Sequence, residues 1–403
     1  MAFVFGAALV LVPAADGVDD IETEETIAEL LATPPRADDP TTRERSWAVL
    51  PQLGYGPETG PLVGGKFTHR DLFGTGVTFD VDGNAALEGQ YGLSFELGSP
   101  HLADDRFLAL LEVEFDLDPQ EEFFGLGNNE LGSDPEALST HQDQSTSGQL
   151  TFGWRPWRQL ALNASIGLRY VSIRRGERDG DIPRTVQRFP DLPGVDGGWV
   201  NPIALSLVWT TRDDVIRPTR GWRGILKVAH TNEALLSDYE FTRYSVDLGY
   251  LYPLFGGAHV IGARVNGAFI DGPDEEVPFW ELTSLGGDDT LRGFFPERFL
   301  GTSRVLANAE YRFKLFDFDF FDIWHVRVGG AGFAELGRVF IDNDELEDEF
   351  EFDDELLDRV ADFRFSYGGG LRFLLSQAIV ARVDVGFSEE ETALVYLQFG
   401  HTF

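Results

Sequence analysis

The stretch Ser303-Arg-Val-Leu-Ala-Asn-Ala-Glu-Tyr-Arg-Phe-Lys-Leu-Phe316 alternates almost throughout. Val305, Ala307, Ala309, Tyr311, Phe313 and Leu315 fall on one side of an extended chain. Arg304, Asn308, Glu310, Arg312 and Lys314, with Leu306, fall on the other. A period of two is the mark of a strand with two unlike faces. Residues 362–375 repeat it: Phe363, Phe365, Tyr367, Gly369, Leu371 and Phe373 oppose Arg364, Ser366, Gly368, Gly370 and Arg372. So does the end of the chain, where Ala393, Val395, Leu397, Phe399, His401 and Phe403 oppose Leu394, Tyr396, Gln398, Gly400 and Thr402. Several of these segments reach ten residues or more, longer than the usual soluble strand and suited to a tilted strand that crosses a bilayer.

Extended outward, the pattern predicts sixteen strands: 46–55, 60–70, 76–87, 88–98, 107–118, 143–155, 159–174, 199–212, 221–236, 239–253, 258–270, 303–316, 324–340, 362–375, 378–388 and 392–403. No helices are predicted to cover their apolar faces. A soluble sandwich would turn those faces inward. A transmembrane barrel turns them out to lipid and lines its lumen with the charged faces. Link lengths favour the barrel. With the first strand running outward, the four longest links, 119–142, 175–198, 271–302 and 341–361, all fall on one side. Short links such as 155–158, 253–257 and 376–377 fall on the other. Long external loops and short periplasmic turns are the pattern of such barrels. An even strand count closes the sheet antiparallel and leaves no edge.

Composition agrees. The chain has 403 residues with Gly 45, Phe 34, Tyr 10 and Trp 8, against Met 1 and Cys 0. No run approaches the eighteen apolar residues of a membrane helix. The absence of cysteine excludes disulfides and thiolate chemistry. A net charge of −36 makes nucleic acid an unsuitable partner, because phosphate binding needs basic patches. Residues 1–15 read as a truncated secretory signal: an apolar core and small-residue end without a basic start. Residues 16–45 read as an acidic, mobile leader with a short helix at Ile21–Leu31. The barrel is expected over 46–403.

The longest segment without strand period is 271–302, and it contains Leu285-Gly-Gly-Asp-Asp-Thr-Leu-Arg-Gly-Phe-Phe-Pro-Glu-Arg-Phe-Leu-Gly301. A loop of this length is functional or disordered. Leu291, Phe294, Phe295, Phe299 and Leu300 need an apolar setting, which argues for order. No G-x-S-x-G, H-E-x-x-H or Walker sequence is present, and no two of the seven histidines share a metal-like spacing. No enzyme, cofactor or metal is therefore expected. The acidic run Asp342–Asp358 fails the calcium-loop pattern, with Leu346 at its fifth position and no glycine at its sixth. It reads as a solvated loop.

Six motifs in order resemble the BamA/TamA superfamily of outer-membrane barrels. They are Leu291-Arg292-Gly293-Phe294, Asn308-Ala-Glu-Tyr-Arg-Phe313, Phe333-Ala-Glu335-Leu-Gly337, Gly368-Gly-Gly-Leu-Arg372 with Arg382-Val-Asp384-Val-Gly386, the turn pair Thr211–Asp214 and Pro218–Gly221, and Trp47 through Gly60. In that family a long sixth external loop folds into the lumen and carries the Arg-Gly motif. The resemblance covers 46–403. It departs in front, where no pattern of the family's periplasmic POTRA domains precedes the first strand.

The resemblance implies a lumen-docked loop whose Arg292 leaves bulk water and needs a partner. Glu335 is the expected one, since Phe333, Glu335 and Gly337 share the inward face of their strand; Asp384 is the alternate. Gly293 would let the loop approach the wall closely. Asn308, Glu310, Arg312, Arg364, Arg372, Arg382 and Asp384 are expected to face the lumen. A solvated loop cation and simple pore-lining charges are the plainer alternatives. Leu397, Phe399 and Phe403 resemble the terminal signal read by outer-membrane barrel assembly machinery. The implied function is outer-membrane protein or lipid assembly or translocation. A passive pore, or a scaffold acting with a separate periplasmic partner, are the other two readings. Outer-membrane lipid is the expected surround.

Overall fold

A computed structural model of the chain describes residues 24, 26–28, 47–103, 106–128, 138–176, 182–214, 217–273, 277–320, 324–341, 362–375 and 379–399. The strands follow the alternating stretches. In chain order they are β1 (Trp47–Gly56), β2 (Gly60–Leu72), β3 (Val77–Ala86), β4 (Tyr91–Leu102), β5 (Phe107–Phe123), β6 (Ser139–Trp157) and β7 (Leu160–Arg174). Then come β8 (Gly198–Val200), β9 (Ile203–Thr210), β10 (Gly221–Thr231), β11 (Phe241–Leu254) and β12 (His259–Asp271). Next are β13 (Thr283–Leu285), β14 (Phe299–Gly301), β15 (Ser303–Phe320), β16 (Trp324–Phe340), β17 (Arg364–Leu375), β18 (Ile379–Phe387) and β19 (Leu394–Phe399).

β8 and β9 both lie on β7 and form one barrel strand. Asn201 and Pro202 interrupt it, because proline has no N–H for the ladder. The amide of Gly167 still donates to Pro202 O at 2.8 Å, so the strand resumes in register. β13 and β14 pair with each other outside the barrel sheet, and Leu300 of β14 also bridges Gly127. The rest makes a closed barrel of sixteen antiparallel strands. Closure runs from β19 back to β1 through the register pair Tyr55↔Leu397.

Burial follows the two-residue period. On β15, Leu306, Asn308, Glu310 and Arg312 are buried and Ala307, Ala309 and Tyr311 are exposed. On β6, Thr151, Gly153 and Arg155 are buried while Leu150, Phe152 and Trp154 are exposed. The outer face is therefore apolar and bare, a surface that is stable against lipid. No helix among the described residues is long and apolar enough to cross a membrane.

Several boundaries differ from expectation, each for a local reason. β5 and β6 run past 118 and begin before 143, because a bulge between Asp118 and Glu121 breaks the alternation without ending the ladder. β15 runs to Phe320 rather than 316, with a bulge between Lys314 and Phe316. β10 stops at Thr231 rather than 236. There Asn232 caps the turn Glu233–Leu235, its Oδ1 accepting from Leu235 N at 3.2 Å.

Within the expected leader, Glu24 and Thr26–Ala28 are helical. Ile27 and Ala28 pack against Leu108, Ala161, Val208 and Ile225, which belong to the buried, inward sets of β5, β7, β9 and β10. Glu24 is 1% exposed and accepts from Lys227 Nζ at 3.0 Å.

Candidate functional site

The link between β12 and β15 is pinched at its neck by the β13–β14 ladder, Thr283↔Gly301 to Leu285↔Phe299. Residues 286–298 form the excursion beyond it. Gly286 has φ +124°, a conformation that L side chains rarely adopt. Its amide donates to Thr290 Oγ1 at 2.8 Å, and that hydroxyl donates back to Gly286 O at 2.6 Å. Phe294 N donates to Leu291 O at 3.0 Å. These bonds present Arg292 at the tip of a tight turn.

The apolar residues of the turn supply its docking energy. Leu285, Leu291, Phe294 and Phe299 pack with Leu306 of β15 and Val339 of β16. Burying such side chains stabilises by roughly 1.5–3 kcal/mol each before the ordering cost is subtracted. Tyr396 OH of β19 adds a hydrogen bond to Phe294 O at 3.0 Å.

Arg292 is 0% exposed. Its Nε donates to Glu335 Oε1 and its backbone N–H to Glu335 Oε2, both at 2.7 Å. Its Nη1 reaches Glu310 Oε2 at 3.2 Å and Asp384 Oδ2 at 3.1 Å. The Phe333 ring lies under the guanidinium, 3.4 Å from Cζ to the ring centre, a cation–π contact. Burial works against the charge of Arg292. Glu335, then Glu310 and Asp384, outweigh it and raise the side chain's pKa above the ordinary arginine value.

The carboxylates are shared further. Glu310 Oε1 accepts from Arg312 Nε at 2.6 Å and Oε2 from Arg372 Nη2 at 3.2 Å. Asp384 pairs with Arg372, and Arg382 Nη1 lies 3.9 Å from Asp384 Oδ2. Glu335 also accepts from Ser366 Oγ at 2.6 Å and Asn308 Nδ2 at 3.3 Å. Asn308 Nδ2 also donates to Thr290 O at 2.9 Å, tying loop to wall. One guanidinium thus meets carboxylates from β15, β16 and β18.

The glycines make the approach physically available. A Cβ on Gly386 would overlap the carbonyl of Arg292 and lie 2.8 Å from Gly293 N. A Cβ on Gly293 would lie 2.9 Å from Ser366 Cβ and overlap Phe387 O.

The structure places the sequence-predicted residues in three groups. Leu291, Arg292, Gly293, Phe294, Asn308, Glu310, Arg312, Glu335, Arg372 and Asp384 meet at this hub. Arg382 reaches Asp288 and Asp289 of the loop, the latter at 2.9 Å, as well as Asp384. Arg364 lies outside the hub: its Nη2 donates to Asn128 O at 2.8 Å and it pairs with Glu389. Leu397 sits on the outward face of β19, and Phe399 pairs with Ala381. Phe403 and the run Asp342–Asp358 lie outside the described residues. Sequence reasoning missed Phe333 as a cation–π partner, Ser366, the Asp288–Asp289 pair and the Arg298–Glu390 bridge at 2.8 and 2.9 Å. Two adjacent aspartates just ahead of the loop arginine were the one available signal.

A protein-family model for the Omp85 superfamily domain matches residues 71–403. The chain belongs to the Omp85 superfamily. Solved structures repeat its fold at low identity. BamA from Haemophilus ducreyi lacking POTRA domains 1–3 is similar with a TM-score of 0.61 at 16% identity, covering 89% of this chain and 70% of that one. CdiB from Escherichia coli gives 0.63 at 12% identity, covering 94% and 70%. CdiB from Acinetobacter baumannii gives 0.53 at 11%, covering 89% and 60%. No curated protein sequence matches. For an Omp85 barrel at these identities, the hub geometry above says more about this chain than the likeness to any one neighbour.

Proposed function

We propose that this chain works in the bacterial outer membrane in the assembly or translocation of membrane proteins or lipids. In this reading the Arg292 turn holds the β15–β18 wall in a fixed shape while a substrate engages elsewhere in the barrel. The supporting observation is the arginine hub: a fully buried guanidinium shared by three carboxylates is a costly arrangement to keep unless the loop position matters. A passive pore would need only solvated lumen charges. Outer-membrane lipid surrounds the barrel, and the assembly machinery that inserts other barrels inserts this one. In this reading a separate periplasmic protein acts with the barrel.

Depletion followed by an inventory of outer-membrane proteins and lipids tests the reading. Loss of particular proteins or a shifted lipid composition supports it. An unchanged inventory, with solute uptake lost instead, overturns it in favour of the pore. One observation favours that second reading. Asp80, Glu96 and Glu112 stand directly opposite one another across β3, β4 and β5. Such a row of carboxylates would make a conducting lumen cation-selective.

A further inference from the structure

Four of the eight tryptophans lie together on the outer wall, at the short-turn end of four consecutive strands. Trp157 is registered opposite Leu160, Leu160 opposite Trp209, and Trp209 opposite Gly224, forming one row across β6, β7, β9 and β10. Gly224 leaves room for the Trp209 ring, which would stand 3.6 Å from a Cβ there. Trp222, one step nearer the rim, lies tilted against Tyr250 with ring centres 4.3 Å apart. Trp154 continues the face on β6. All four tryptophans are exposed, Trp157 at 69%.

The turns beside this row carry positive charge, which is unusual in a chain of net −36. Arg158 is exposed between β6 and β7. Residues 211–220, between β9 and β10, hold Arg212, Arg217 and Arg220 with Asp213 and Asp214. The two turns adjoin, since Thr210 N donates to Gln159 O at 2.9 Å. Both aspartates accept from backbone amides, and Asp213 Oδ2 also lies 3.7 Å from Arg220 Nε. Asp213 accepts from Thr219 N at 2.9 Å, Thr219 Oγ1 at 2.6 Å and Arg220 N at 3.2 Å; Asp214 accepts from Arg217 N at 2.8 Å. The Arg220 side chain remains 72% exposed. The other short turns, 73–76, 103–106, 255–258, 321–323 and 376–378, together carry one arginine and three aspartates. Among the short turns, basic charge is concentrated in one arc, with Arg158, Arg212, Arg217 and Arg220 there against Arg106 elsewhere, and that arc is where the tryptophans are.

We infer that this arc is a binding site for the headgroup of an anionic phospholipid in the leaflet at the short-turn end. Indole rings settle at the depth of the glycerol backbone, with an apolar body and a polar N–H. Arginine above them meets a phosphodiester oxygen pair with its planar fork. Charge complementarity selects an anionic headgroup over a zwitterionic one. The inference rests on the barrel alone, not on the assembly reading, so the two stand or fall separately.

Tryptophan fluorescence of the full chain in phosphatidylcholine vesicles tests it, with a small share of either dibrominated phosphatidylglycerol or dibrominated phosphatidylcholine as quencher. At equal mole fraction the brominated phosphatidylglycerol should quench more, reflecting preferential binding of about fivefold per engaged arginine. The excess should fall as salt is raised. It should vanish in Arg158→Gln/Arg217→Gln/Arg220→Gln, with barrel formation checked by heat-modifiable gel migration. Equal quenching by the two lipids in the wild-type chain overturns the site. So does an excess that survives in the folded triple variant. Should that variant not fold, an excess in the wild-type chain that is insensitive to salt overturns it equally.

Discussion

Glu335 receives two hydrogen bonds from Arg292, each at 2.7 Å, one from the backbone amide to Oε2 and one from Nε to Oε1. The carboxylate therefore fixes the position of the loop's main chain as well as neutralising its charge. A side chain that matched only the charge would leave half of this undone.

Arg292→Ala should free the turn while the barrel still forms. Breaking one side of a buried pair costs roughly 3–5 kcal/mol, and here three carboxylates lose a shared cation. The loss falls on loop docking, so protease cleavage within 286–298 should rise steeply while heat-modifiable migration stays normal. Arg292→Lys should rescue only in part, because an ammonium cannot give the planar fork or lie flat on Phe333. Full protection in the lysine variant would show that charge alone is read.

Gly386→Ala reaches the same end from the opposite wall. The added methyl would collide with the Arg292 carbonyl, and backbone cannot swing aside as a side chain can. The expected result is the loop cleavage of Arg292→Ala with every charge in place. Wild-type protease resistance would mean the loop does not press against β18.

Lys227→Glu should expel the segment around Glu24, since it turns a 3.0 Å ion pair into repulsion. Single-barrel conductance in planar bilayers should then rise above that of the wild-type chain. Equal conductance would show that residues 24–28 do not obstruct the lumen.

Asp213 predicts a pH effect outside the membrane. Partial burial opposes its charge, but hydrogen bonds from the Thr219 hydroxyl and the Thr219 and Arg220 amides prevail and lower its pKa below the usual 3.8. A depressed carboxyl contributes stability above its unfolded pKa and loses it as pH falls through the folded value. Asp213→Asn should therefore lower the unfolding temperature at neutral pH, and the gap should close below about pH 4. A gap that persists at pH 2 would assign the effect to something other than ionisation.

The barrel was legible because every strand repeats the same two-residue rule, and the rule survives without knowing which strands touch. It failed where a bulge slipped the register, at Asp118–Glu121 and at Leu315, where Asn201 and Pro202 interrupt a strand, and where the Asn232 cap ends β10 early. The hub was half legible. Glu335 stood out as a carboxylate between Phe333 and Gly337 on one face, and Arg292 as a cation among aromatics. Sharing was not legible: Asp384 was named as a substitute for Glu335, yet both bind at once, with Glu310. These contacts span 18 to 92 residues of sequence, and nothing local encodes them. The buried turn at Glu24 escaped for a different reason. Four residues of a short helix carry too little period to show which wall they face.

Because one guanidinium is fastened to β15, β16 and β18, and through Ser366 to β17, those four strands cannot slide or splay independently. The barrel is thus a ring of uneven stiffness. Thermal deformation of its cross-section must be taken up by the strands outside that group. Pulling on the Arg292 loop would deform those strands before the braced ones, so the direction in which the ring yields is set by where its brace is bolted.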